Sequence, residues 1–327
     1  MGFQNKEEVL AHVGGKLLAF GLQGTGKSTF LGTFPNINLV DTEDGQTYYL
    51  ESNPNIKGIL RTVSASEVQE TLDELNDEEV MDSFDTVLID SATKLYENMQ
   101  SAAYEIVEKR AKTQLRKGKD VDTEDLNLAQ RDWGHIKRWN QQLATSYILL
   151  SSLGKWVAVS AHQKDVFDDP NSKDKKKIGE APDLAKKAEH DYDVVIQMFT
   201  EEDKKTKEIK YYGRVFKDRT GVTKKGDVIE NPTFDIWRAK WEATKKFGIK
   251  KGVDLSKGVQ RDTETMEMED DKLAELVEEF KTKVKLLDSK LQPKVMKKSK
   301  ELGIDNPLKT TDLKGLEKLL KFVNELE

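Results

Sequence analysis

The sequence predicts an α/β fold with a mostly parallel central sheet, followed by a small C-terminal helical module. Three observations predict it. Short apolar, β-branched runs alternate with helical patterns over residues 1–245; a glycine-rich turn joins the first run to a helix; and residues 271–327 show helical periodicity alone. Strands separated by helices pair in parallel and are covered on both faces, so each run is apolar throughout instead of alternating. Residues 246–270 between the two parts are rich in Gly, Lys and then acids, and are expected to be a charged linker without periodicity.

Residues 16–20 form the first apolar run and lead into the glycine turn. A helix is expected from Ser28 toward Phe34, stopped at Pro35. Residues 37–41 and 59–63 read as the next strands, with an acidic helix over about 66–80. Residues 86–89 are the most strand-like stretch of the chain. The long interval that follows is expected to hold two helices, roughly 93–116 and 125–150. In the second, Leu128, Trp133, Ile136, Trp139 and Leu143 recur at helical spacing and read as a core-facing stripe. Residues 156–160, 194–198 and 209–216 complete the strands.

Composition narrows the function classes. The chain has 327 residues and no cysteine, which excludes disulfides and thiolate metal sites. Its four histidines (His12, His135, His162, His190) show no zinc-ligand spacing. No apolar stretch is long enough for a bilayer and no signal-peptide pattern is present, so a cytoplasmic protein without membrane contact is expected. The net charge of −6 gives no global footprint for nucleic acid, so any such contact must come from local basic patches.

Gly21, Gln23, Gly24, Thr25, Gly26, Lys27, Ser28 and Thr29 lie in the Walker A spacing Gly-x4-Gly-Lys-Ser and just beyond it. Glycines let the backbone wrap a phosphate, successive N–H groups attract the anion, Lys27 reaches the β/γ-phosphates, and Ser28 offers a hydroxyl to Mg²⁺. ATP and Mg²⁺ are the expected ligands. Asp90 ends an apolar strand and fits the second metal-holding position; an ordinary helix-capping Asp is the bland alternative. Asp41, Glu43 and Asp44 follow the second strand, at the carboxyl end of the sheet where α/β folds place ligands. Glu43 is the first choice to activate the attacking water, with the other two as competitors and a plain acidic turn as the alternative. Beyond residue 160, His162 or Gln163 is expected to sense the γ-phosphate, with a satisfied loop residue as the alternative for His162; Gln163 is the catalytic choice.

These elements, in this order, resemble the RecA-like recombinase ATPases, and more closely the phage RecA-like single-strand annealing and recombination ATPases of the nucleotide-binding AAA-family type. The resemblance covers about residues 14–245. It implies a RecA-like P-loop ATPase stimulated by single-stranded DNA and self-associating as a ring or filament. It also implies two late basic residues, Lys217 and Arg219, that reach the nucleotide of a neighbouring subunit. Two DNA-contacting loops are implied near 100–125 and 164–182, giving Lys109, Arg110, Lys112, Arg116, Lys117, Lys173, Lys175, Lys176 and Lys177 as DNA-binding residues. Solvated charge runs are the alternative for both. Only about thirteen residues precede the first strand, so the family's N-terminal oligomerisation helix is missing and annealing is expected in preference to strand exchange.

Residues 262–279 hold nine acids and one base, and a basic helix follows. Thr311, Asp312 and Leu313 are expected to cap a last helix. This module is expected to contact a partner, such as a phage or host single-strand-binding or replication protein. The function alternatives are a P-loop ATPase serving helicase loading or DNA packaging, and a non-hydrolysing ATP switch.

Overall fold

The computed structural model describes residues 5–75, 80, 82–118, 126–169, 175–248 and 255–326. It divides into two compact units, residues 1–253 and 254–327. In the first, the elements run α1 (Lys6–Val9), β1 (Gly15–Gly21), α2 (Lys27–Leu31), β2 (Ile37–Asp41), α3 (Thr47–Leu50), β3 (Ile56–Arg61), α4 (Ala65–Glu74) and β4 (Thr86–Asp90). They continue as α5 (Ala92–Arg116), α6 (Gln130–Ser152), β5 (Trp156–Phe167), β6 (Lys177–Pro182), β7 (Val194–Glu202), β8 (Ile209–Asp218), β9 (Val228–Glu230) and α7 (Asp235–Thr244).

The sheet runs β3-β2-β4-β5-β1-β7-β8-β9, with β6 pairing β5 off this path. The strands from β3 to β7 are mutually parallel; β8, β9 and β6 join antiparallel. This is the α/β, mostly parallel sheet of a P-loop fold. Because β5 lies between β4 and β1, the carboxyl ends of β1, β4 and β5 stand side by side, and three distant sequence segments meet at one rim.

Successive strand residues face opposite sides. Leu18, Phe20, Ile89 and Val159 bury one face under α4, α5 and α6, whereas Leu17, Ala19, Leu88 and Ala158 bury the other. That second face packs against Phe30 and Leu31 of α2 and Trp237 and Trp241 of α7. Each fully buried large apolar side chain contributes roughly 1.5–3 kcal/mol, so the central strands are a rigid base for the rim.

Three expectations change. The aromatic stripe of α6 is only partly buried: Leu128, Ile136 and Leu143 are in the core, but Trp133 is 44% exposed and Trp139 37%. The two indoles flank the buried stripe, one on each side, where the covering elements no longer reach. Residues 164–182 do not form a loop throughout: β5 runs on to Phe167, and Gln163–Phe167 pairs with β6 as an antiparallel ribbon. The loop that the resemblance implies near 100–125 is helical as far as Arg116, where α5 (Ala92–Arg116) follows the helix expected over 93–116.

The second unit holds α8 (Leu255–Leu286), α9 (Gln292–Glu301) and α10 (Leu313–Asn324) around Phe280, Val295, Leu316 and Leu319. Asp312 caps α10 by accepting from the Gly315 N–H at 2.9 Å. The charged stretch 246–270 was expected to lack regular structure, yet α8 begins at Leu255 inside it. Its residues 258–268 are exposed all round, so no apolar period marks the helix. Strong helix formers and i,i+4 contacts such as Gln260 to Glu264 sustain it instead.

Candidate active site at the carboxyl rim of the sheet

The turn from β1 into α2 is the phosphate loop. Gly26 adopts φ +83°, and a Cβ there would lie 3.0 Å from the Tyr211 ring. At Gly21 a Cβ would press to 2.3 Å from the Met198 carbonyl oxygen. Both positions therefore require glycine. Thr25 ties the loop by donating to the Leu22 carbonyl at 2.8 Å. The Lys27 ammonium folds back to donate to the carbonyls of Gly21 (3.1 Å) and Leu22 (2.8 Å). Burial depresses its pKa, and the nearby Asp90 and Glu43 carboxylates oppose that shift. Gln23 and Thr29 are exposed on the loop and the first turn of α2.

Asp90 is 8% exposed at the end of β4 and accepts three hydrogen bonds. Ser28 Oγ donates at 2.7 Å, and Gln46 Nε2 and Ser160 Oγ donate as well. The peptide bond that follows, Asp90–Ser91, is cis. A hydroxyl and a carboxylate at this distance, beside the phosphate loop, are hard oxygen donors that suit Mg²⁺ completed by phosphate and water.

The three carboxylates after β2 separate into different roles. Asp41 is buried and accepts from the backbone N–H groups of Glu43 (3.1 Å) and Gln46 (3.2 Å), so it shapes the turn. Asp44 points outward to Arg61 at 3.3 Å. Glu43 alone reaches across the rim to the ends of β4 and β5: its Oε1 accepts from Ser91 Oγ at 2.5 Å and lies 2.7 Å from His162 Nε2. Burial pushes the Glu43 carboxyl up, but the hydrogen bonds from Ser91 and His162 and the charges of His162 and Lys94 outweigh it. The group is held below its ordinary value and is a carboxylate at neutral pH.

Gln163 is not in this group. Ser160 and His162 share one side of β5, so they meet Asp90 and Glu43; Gln163 points the other way and accepts from Gln197 Nε2 at 2.9 Å. His162 is thus the rim residue that touches the acid. Lys217 and Arg219 lie where β8 ends, at the amino-terminal rim of the parallel strands and so across the sheet's length from this chain's own phosphate loop, because β8 runs antiparallel to β7. Lys217, expected as a cation for a neighbouring subunit, is engaged instead with the carbonyls of Tyr192, His190 (3.0 Å) and Glu189 (3.3 Å). Burial and the Arg219 charge lower its pKa. Arg219 is largely exposed and only 3.9 Å from Asp193.

Four of the nine basic residues expected for DNA are matched by acids. On α5, Lys109 pairs with Glu105 and Lys112 with Glu108, each at 3.3 Å, and Arg110 with Asp132 at 2.6 Å. Lys177 bridges Asp165 and Glu180, both at 2.8 Å. Lys175 lies over the Phe167 ring at 4.7 Å, and the Lys176 backbone N–H donates to Asp168. Arg116 and Lys117 are exposed at the end of α5. Lys173 lies outside the described residues.

Beside the phosphate loop opens a cleft of about 650 Å³, the volume of a nucleotide-sized ligand pocket. Its far wall is Tyr49, Met198, Tyr211, Asn231, Pro232 and Thr233. None of these carries a sequence signal. They come from four separated segments and converge only in the folded chain.

Loop, lysine, hydroxyl and carboxylate at one rim of a parallel sheet define a P-loop ATPase. Residues 14–228 match the family described as AAA domain, and the chain belongs to it. No curated protein matches the chain. Among solved structures, it is similar to the flagellar accessory protein FlaH from Methanocaldococcus jannaschii, at 12% identity over 68% of this chain and 86% of FlaH, with a TM-score of 0.31.

Proposed function

We propose that this chain hydrolyses ATP in the cleft and couples hydrolysis to single-stranded DNA, in phage recombination or annealing, as a self-associating assembly. The observation that carries the hydrolytic part is the convergence of Lys27, Ser28, Asp90, Glu43 and His162 on one rim. Ser28 and Asp90 would hold Mg²⁺, which when bound neutralises phosphate charge. Lys27 leaves its two loop carbonyls for the β/γ-phosphates. Glu43, ionised and fixed by Ser91 and His162, orients a water and takes its proton as the water oxygen bonds to the γ-phosphorus and the bridging P–O bond to ADP breaks. A low Glu43 pKa suits orientation of the water ahead of full proton removal, as a loose phosphoryl transition state needs. His162, touching Glu43, is placed to register the loss of the γ-phosphate.

The DNA, assembly and phage parts are supported by the RecA-like resemblance of the motifs. The second unit offers a surface for a replication or single-strand-binding partner. No described helix is long and apolar enough to cross a membrane, and we assign the protein to the cytoplasm of a bacterial host.

Steady-state ATPase assays with and without single-stranded DNA test the reading. Turnover that rises with single strands and is lost in Lys27→Ala is the expected result. Turnover indifferent to DNA refutes the coupling; ATP binding without turnover in either condition makes the chain a nucleotide switch.

A further inference from the structure

The matched ion pairs on α5 and on the β5–β6 ribbon leave another basic surface standing apart. Arg131, His135, Arg138 and Gln142 recur at i, i+4, i+7 and i+11 on α6 and share one side of that helix. Among the described residues, the side chains of His135, Arg138 and Gln142 make no hydrogen bond or ion pair. Arg131 reaches only Asp132, at 3.9 Å.

This side of α6 borders a groove of about 310 Å³ between α5 and α6. Met99, Ala103 and Ile136 form its floor. Ile106, 46% exposed, and Trp139, 37% exposed, form its walls. An indole and a large aliphatic side chain left facing water beside a row of cations mark a binding surface more than a solvated face. On α6 itself, residues 130–142 carry Arg131, Lys137 and Arg138 against one acid, Asp132, in a chain whose net charge is −6.

We propose that this groove binds single-stranded nucleic acid, with one unstacked base against the Trp139 indole and the flanking phosphates on Arg138 and Arg131. An indole beside arginines is the combination that holds single strands: the ring stacks on any base, and the guanidinium groups follow the backbone. Gln142 and His135 stand beside the slot with donor and acceptor atoms for a base edge. An acidic peptide would use the cations but gain less from a flat aromatic wall. The proposal rests on the reading that this chain works on single strands and adds the exposed side of α6 to the expected stretch 100–125, whose Ile106 and Arg110 line the same groove.

The test is fluorescence anisotropy of a labelled oligothymidylate with the full chain, over a range of salt. Trp139→Ala is expected to weaken binding about tenfold, the usual effect of removing one stacking platform. Trp139→Phe restores most of it, because a ring remains. Arg138→Glu weakens binding and flattens the salt dependence. Unchanged unfolding midpoints in all three variants keep the loss from being one of fold. If the wild type binds and Trp139→Ala and Arg138→Glu bind within about twofold of it, the groove is not the site, although the coupling to single strands survives. If the wild type does not bind, groove and coupling fall together. Displacement of the oligonucleotide by polyglutamate at equal charge also overturns the proposal, since it makes the surface a general anion patch.

Discussion

Glu43→Gln separates the acid's chemical role from its structural one. Glutamine keeps the length and one carbonyl oxygen, and that oxygen still accepts from Ser91 Oγ at 2.5 Å and from His162 Nε2 at 2.7 Å. The turn itself is held by Asp41 through the backbone of Glu43 and Gln46, which the change does not touch. The fold and the nucleotide cleft therefore persist. Only the negative charge and the proton-accepting capacity disappear. Removing a positioned general base typically lowers rate by about 10²–10⁴-fold, or roughly 3–5 kcal/mol of transition-state stabilisation. Single-turnover hydrolysis of γ-labelled ATP measures the chemical step, and titration with a fluorescent ATP analogue measures binding in the same preparation. The expected result is a drop in the hydrolysis rate of two orders of magnitude or more with binding nearly unchanged. A Glu43→Gln chain that hydrolyses within about threefold of wild type refutes the assignment, because a loss that small lies below any general-base contribution.

Two further predictions follow from other parts of the structure. Asp218 accepts from the backbone N–H and hydroxyl of both Thr220 and Thr223 and from Trp237 Nε1. Burial raises its pKa, but the hydrogen bonds from the Thr220 and Thr223 hydroxyls, the Thr223 N–H and Trp237 outweigh burial and hold it below the ordinary 3.8. Its contribution is therefore fully present above the unfolded carboxylate pKa and is lost as pH falls through the lower folded value. Asp218→Asn should cost about 2–3 kcal/mol in urea unfolding at neutral pH, and the gap to wild type should close in acid; a gap that stays constant as the carboxylate protonates is inconsistent with this. Arg219→Ala should keep ATP binding and stability, since its one ion pair is loose and exposed, yet abolish hydrolysis and suppress mixed wild-type subunits. Ordinary turnover in the variant removes Arg219 from any role in trans.

The parts of the site legible in the sequence are those whose chemistry is written in contiguous residues. The loop from Gly21 to Ser28 is local geometry, and Asp90 at the end of an apolar run is set by strand length alone. Glu43 was distinguishable from Asp41 and Asp44 only as a preference, because which of three neighbouring carboxylates reaches Ser91 and His162 depends on the hydrogen bonds of the turn. His162 and Gln163 differ by one residue, and the side each faces follows from the register of β5 against β1 and β4. The helical spacing of Trp133 and Trp139 was visible, but their exposure depends on where the covering elements end.

Backbone sterics and periodicity act over a few residues, so the order of amino acids is enough to place a phosphate loop between a buried strand and a helix in a parallel α/β sheet. What surrounds that loop depends on the folded chain. It brought Tyr211 against Gly26, Ser160 and Gln46 onto Asp90, and His162 onto Glu43. It also turned Lys217 onto the carbonyls of Glu189, His190 and Tyr192. Those contacts join residues tens to more than a hundred positions apart, and their partners are chosen by strand order and register, which depend on the packing of the whole sheet.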